Sequence, residues 1–178
     1  VPTARATRTI AAPAEQLWEV VRDPHHLPRW WPRVTRVEDV EAGAFTEVMR
    51  TAKGKLVRAD FTVVRPDDSE RVLRWTQNVE GTPFARLLKS AETEVRLTAL
   101  GHEEGARTPG DAAGASGGDA AGASGGGEGG DAPAATEVTI ELRQSLTGFF
   151  PRFGGFMVRR AAAATIEQAL DGLERISG

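Results

Sequence analysis

Few side chains in this 178-residue chain are equipped for catalysis. There is no Cys, which removes thiol nucleophiles, disulfides and thiolate zinc sites. There is no Tyr, a common proton donor. The His residues are His25, His26 and His102. His25 and His26 are adjacent after Asp23-Pro24, so they point in different directions and read as a solvated turn. His102 borders a Gly-rich segment and reads as exposed. Without Cys or clustered His, the expectation is no metal site and no cofactor. Ser69, Ser90, Ser116, Ser124, Ser145 and Ser177 lie in no nucleophile motif.

Acid and base chemistry is left to polar residues inside strand-like segments: Glu47, Arg58, Asp60, Arg74, Asn78 and Gln144. Two of them facing one cavity could promote enolisation or dehydration of a bound carbonyl-rich chain. A solvent-facing position is the expectation in each case, because a buried unpaired charge is costly. Gln144 has the best claim to an inward one. It ends the alternating row Val138, Ile140, Leu142 and reads as an inward polar group that could orient a ligand carbonyl without catalysis.

The elements that must position these groups surround one low-complexity stretch. Residues 110–131 hold ten of the 20 Gly, four acidic residues and no basic one. Gly110–Gly117 reads GDAAGASG, and Gly118–Gly125 repeats it. Such a segment has little to bury, and a disordered insert at about 103–135 is expected. The letters Gly125-x-Gly127-x-x-Gly130 match a dinucleotide fingerprint, but no strand precedes them and no helix follows. The formal charge of −3 belongs to this stretch. The rest of the chain is near neutral and carries no basic stripe of the kind nucleic acid requires. No run approaches the ~20 apolar residues of a membrane span. The first residues lack a secretory h-region, so the expected compartment is the cytoplasm.

Outside that stretch, Arg5–Ile10 alternates and predicts a first strand. Leu17, Trp18 and Val21 share a helical face, with Pro13 and Glu15 at its start. Asp23-Pro24 ends that helix, and His25–Trp31 predicts a second short one, stopped at Pro32. Val34–Val40, Ala44–Thr51, Leu56–Arg65, Arg71–Val79, Thr93–Leu100 and Thr136–Leu146 follow as strands separated by turn residues. A terminal helix is predicted over 150–176, with an apolar stripe of Val158, Ala162, Ile166, Ala169, Leu170, Leu173 and Ile176. One strand, a helix pair, six meandering strands and a long last helix predict an α+β fold. A curved seven-stranded antiparallel sheet would grip that helix, in a single domain over 1–178.

The run Ile10-Ala11-Ala12-Pro13-Ala14-Glu15-Gln16-Leu17-Trp18, then Asp23-Pro24, then Leu27-Pro28-Arg29-Trp30-Trp31-Pro32 resembles the opening of the polyketide cyclase/dehydrase, START-like (SRPBCC, helix-grip) superfamily. Gly81-Thr82-Pro83-Phe84 and the terminal helix also fit. The resemblance spans nearly the whole chain apart from 103–135. It implies a cavity between sheet and terminal helix that holds a small hydrophobic or aromatic molecule for binding, transport or sequestration. Two alternatives within the superfamily stay open: a cyclase or aromatase enzyme, and a toxin-like protein-interaction module. Converging polar groups in the cavity would favour the enzyme, an all-apolar wall simple binding.

Alternation of strand direction places the cavity mouth. The terminal helix starts where the last strand ends, so the turns 51–55 and 79–90 share that end, and the Gly-rich insert lies at the other. Apolar residues crowd the mouth: Phe84, Leu87 and Leu88 in the longer turn, and Phe149, Phe150, Phe153, Phe156 and Met157 beside glycines. They read as core closure, as a hinged gate for an apolar ligand, or as a contact patch. Trp18 is expected in the core, with one of Trp30 and Trp31 inward and the other capping the surface. The expected ligand-binding set is Trp31, Phe61, Trp75, Phe84, Leu88, Gln144, Phe150, Phe153 and Met157. No nucleic acid is expected as partner, and nothing in the sequence sets an oligomeric state.

Overall fold

The structure, a computed structural model, describes residues 3–101, 134–148 and 154–178. Its elements run β1 (Thr3–Ile10), α1 (Ala14–Val21), a 3-10 turn (Pro24–His26), α2 (Leu27–Trp30), β2 (Val34–Glu41), β3 (Ala44–Arg50), β4 (Leu56–Asp67) and β5 (Val72–Gln77). A second 3-10 turn (Pro83–Arg86), β6 (Leu88–Leu100), β7 (Ala135–Leu146) and α3 (Gly154–Ser177) complete them. The strands form one antiparallel seven-stranded sheet in the order β1-β7-β6-β5-β4-β3-β2. The meander thus runs from β2 to β7, and β1 closes it by pairing with the last strand rather than with its sequence neighbour. The predicted grip of a curved sheet on a long terminal helix is the fold observed.

Period-two alternation explains which face each strand buries. In β1, Ala4 and Ile10 turn inward while Arg5, Thr7 and Thr9 face solvent or half-face it. In β7, Thr136, Val138, Ile140 and Leu142 are buried on the same row. The helices supply the opposite layer. Ala14, Leu17, Trp18 and Val21 line the inner face of α1. The stripe predicted for α3 holds, with Ala162, Ile166, Ala169, Leu170 and Leu173 buried and Ile176 packed at its end. Ile10, Leu17, Val21, Val95, Val138, Ile140, Ile166, Leu170 and Leu173 form the driest part of the core.

Local chemistry sets the joints. The Asp23 carboxylate accepts the His25 backbone N–H at 3.0 Å and the His25 ring at 2.8 Å, which starts the turn after α1. This is the solvated turn expected for His25 and His26. The Trp18 indole N–H donates to the Asp68 carboxylate at 2.8 Å and ties α1 to the β4–β5 turn. Gly54, at φ +78°, makes the tight β3–β4 turn that an L side chain would strain. β6 starts at Leu88, five residues before the predicted start, because Leu88 pairs with Leu146 across a bulge. Sheet pairing overrides the weak strand signal of Lys89-Ser90-Ala91-Glu92. The β6–β7 ladder ends at Leu100 opposite Ala135, at the end away from the start of α3. The predicted insert, His102 and the Gly125–Gly130 letters fall almost wholly outside the described residues, as do Phe149, Phe150, Pro151 and Phe153.

Candidate functional site

The inner faces of β3 to β7 and the middle of α3 line a partly open cavity of about 160 Å³. Aromatic rings build much of its wall. Trp31 and Trp75 meet edge to face with centroids 5.5 Å apart. Phe45 stacks on Phe61 at 5.1 Å and 11°, and also meets Trp75 edge to face at 6.5 Å. Trp31, at the end of α2, further contacts Trp30 at 5.3 Å. One continuous aromatic chain therefore runs from α2 across β5 and β3 to β4. Offset and edge-on contacts of this kind hold rings in fixed orientations. Both Trp30 and Trp31 are buried. This corrects the expectation that one of them caps the surface: both belong to the core cluster, Trp31 against Trp75 and the Trp30 backbone against Gly172 of α3.

Polar groups interrupt the aromatic wall. Glu47 lies between Phe45 and Met49 on the inner row of β3 and is only 1 % exposed. Its Oε1 has no hydrogen-bond partner among the described residues. Burial pushes its carboxyl up to about 8, so the group is protonated at neutral pH. Gln77 lines the same cavity, and its Nε2 is buried and likewise unpartnered among the described residues. Thr93, Gln144 and Thr165 add further polar lining. Glu47 stands opposite Ala59, and Gln77 opposite Phe61, two residues further along the same inner face of β4. Both groups line the one cavity, with Ala59 and Phe61 of β4 between their strands.

The solvent-facing expectation for Glu47 is thus corrected. The row Phe45, Glu47, Met49 carried the signal, but the alternate row contains Thr46 and Val48, which are also buried. From β3 alone the two faces look equally apolar. Arg58, Asp60, Arg74 and Asn78 do face solvent. Arg74 pairs with Glu94 at 2.6 Å, and Arg58 with Glu38 and Asp39 on the outer surface.

An outer lobe of about 290 Å³ adjoins this cavity and shares Leu142, Gln144 and Thr165 with it. Phe84, Leu87 and Leu88 line it from the β5–β6 connection, Leu146 from the end of β7, and Val158, Ala161 and Ala162 from α3. The opening therefore lies where alternation of strand direction predicts the mouth. Of the predicted set, Trp31, Phe61, Trp75 and Gln144 meet at the inner cavity, and Phe84 and Leu88 at the outer lobe. Met157 does not join them. It is 68 % exposed, and Phe156 beside it 63 %, because Val158, Ala161 and Ala162 carry the inward face of α3's first turns. Phe150 and Phe153 lie outside the described residues. Among the described residues, no group of three or more His, Asp or Glu is placed to hold a metal ion, and no helix is long and apolar enough to cross a membrane.

A sheet gripping a terminal helix with a cavity between them is the arrangement that the resemblance of the opening motif implies. The family model for polyketide cyclase / dehydrase and lipid transport matches residues 2–178. The chain belongs to this family. Solved structures share its fold at low identity. A START superfamily protein from Mycobacterium smegmatis is 16 % identical with a TM-score of 0.66, over 98 % of this chain and 96 % of that one. The Zhui aromatase/cyclase from Streptomyces sp. R1128 is 18 % identical with a TM-score of 0.63, over 98 % and 92 %. The di-domain ARO/CYC BexL from the BE-7585A biosynthetic pathway is 17 % identical with a TM-score of 0.67, over 98 % of this chain and 46 % of that one. No curated protein matches the sequence.

Proposed function

We propose that this member of the polyketide cyclase/dehydrase and lipid transport family binds a small hydrophobic or aromatic molecule between its sheet and α3. The observation that carries the reading is the aromatic wall of Trp31, Phe61 and Trp75 around an internal space that adjoins an apolar outer lobe. Apolar cavities with a few placed polar groups are the common form of small-molecule sites. Two indoles in the wall make binding directly observable. Titration with uncharged naphthalene-type probes should change tryptophan emission saturably, and native mass spectrometry should find one bound molecule per chain. A Trp75→Leu variant should lose most of the signal and weaken binding. Absence of saturable binding across probes of graded size would end this reading.

A second reading, catalysis of the cyclase or aromatase type, is favoured by one feature. The cavity is not all apolar: Glu47, Gln77 and Gln144 line it together. In its ionised form, a buried carboxyl can take the α-proton of a bound 1,3-diketone. Returning that proton to the carbonyl oxygen yields the enol. Deuterium exchange at the methylene of such a diketone tests this. The protein should accelerate exchange, and Glu47→Gln should abolish the acceleration. Equal rates with and without protein would leave binding alone.

A further inference from the structure

Resting on the binding reading, we propose that Glu47 and Gln77 form a selecting pair for an uncharged aromatic ligand bearing a carbonyl or hydroxyl oxygen, and that the cavity rejects carboxylates. Two observations carry this. First, both side chains present a buried polar atom that nothing among the described residues satisfies: Oε1 of Glu47 and Nε2 of Gln77. Buried polar atoms are nearly always hydrogen-bonded, so two orphans in one cavity are completed by what enters it. They lie on the same inner face, on the two strands that flank β4, with Ala59 beside Glu47 and Phe61 beside Gln77. A single oxygen between them accepts from the Gln77 amide and from the protonated Glu47 carboxyl. A hydroxyl instead donates to the Glu47 carbonyl oxygen while accepting from Gln77.

Second, the described lining of the inner cavity contains no Lys, Arg or His. A carboxylate would enter with no counter-charge and lie beside an acidic group, which is costly at low dielectric. The aromatic wall then fixes the rest of the ligand as a flat ring system. An ammonium group would need Glu47 ionised in a site that burial holds neutral. The same pair therefore disfavours a cation as well.

A set of 2-substituted naphthalenes tests the assignment on the full chain at neutral pH or just below, read by tryptophan emission and calorimetry. The set is naphthalene, 2-acetylnaphthalene, 2-naphthol, 2-naphthoate and 2-naphthylmethylammonium. The ketone and the naphthol should bind at least about tenfold tighter than naphthalene, and the naphthoate at least about tenfold weaker than the ketone. Glu47→Leu and Gln77→Leu place apolar side chains in an apolar setting. Each should keep affinity for naphthalene while erasing the preference for the oxygenated probes. Naphthalene binding as tightly as the ketone would overturn the selecting pair and leave the binding reading intact. So would an undiminished preference in both variants, and so would tightest binding of the ammonium. If no probe binds at all, the cavity reading fails and the pair falls with it.

Discussion

Gly172 of α3 faces the backbone of Trp30 in α2 so closely that a Cβ at position 172 would lie 2.3 Å from the Trp30 carbonyl oxygen and 2.7 Å from its Cα. No side chain fits there, and the group it would strike is backbone, which cannot rotate away. The close approach seats α2 under α3 and brings Trp31 onto Trp75. Gly172→Ala should therefore cost ~2–3 kcal/mol or more through overpacking, and it should weaken aromatic probe binding as Trp31 shifts. Gly155, near the start of the same helix, has nothing among the described residues within 4 Å of where a Cβ would stand. Gly155→Ala should be neutral or stabilising by up to ~1 kcal/mol from helix propensity. Urea unfolding of the two variants checks both. Equal behaviour would mean that the α2–α3 contact is not tight.

Glu47 makes stability depend on pH in a definite direction. Burial raises its carboxyl from 4.5 to about 8 in the folded chain. Between those values the folded state holds a proton that the unfolded state has released. Stability is therefore full below the lower value, falls as pH rises through the window, and levels off above the upper one. The slope is at most ~1.4 kcal/mol per pH unit. Glu47→Gln should remove this component and be more stable than the parent at the alkaline end, by on the order of 5 kcal/mol. Unfolding midpoints measured at both ends of the window test it. The same difference between parent and variant at both ends would show that Glu47 is not buried as described.

Arg8 fastens the edge strand to the terminal helix. Its guanidinium meets Asp171, Glu167 at 2.7 Å and Glu174 at 3.3 Å, three carboxylates on successive turns of α3. The hydrogen bond to Asp171 leads the causes that raise the Arg8 pKa above its usual value. The three carboxylates are each more than half exposed, so solvent screens much of the attraction. Arg8→Ala should cost ~1 kcal/mol at low ionic strength, with the loss shrinking in ~0.5 M salt as the Debye length contracts. Thermal melts at the two ionic strengths measure the difference. A salt-independent loss would assign the effect to packing of the Arg8 stem instead.

These residues also mark how far the sequence could be read. The α3 stripe and the β7 row were legible because their apolar periodicity is strong and one-sided. That sufficed for the grip of sheet on helix and for Gln144 pointing inward. The mouth followed from strand direction alone. Glu47 was not legible, since Thr46 and Val48 on the opposite row are as buried as Phe45 and Glu47. A strand covered on both faces carries no alternation to read. Nor was the Arg8 clamp legible, because β1 pairs with β7, more than a hundred residues away in sequence. Met157 failed for a simpler reason. A cluster of apolar letters at a helix start does not say which of them face inward, and here Val158 and Ala161 do.

Ala161 gives a test of the mouth that leaves the fold alone. It is exposed on α3, yet it lines the outer lobe opposite Phe84 and Leu88. Exposed helix positions tolerate substitution within ~0.5 kcal/mol, so Ala161→Trp should fold with nearly unchanged stability. The indole would fill much of the outer lobe while leaving Trp31, Phe61, Trp75, Glu47 and Gln77 untouched. If ligands pass through this lobe, association and dissociation of a naphthalene probe should both slow, by about tenfold or more, with little change in affinity. Stopped-flow fluorescence separates the two rates. Slower dissociation alone would mean that the new ring packs against the bound probe, and unchanged rates would move the route to another opening.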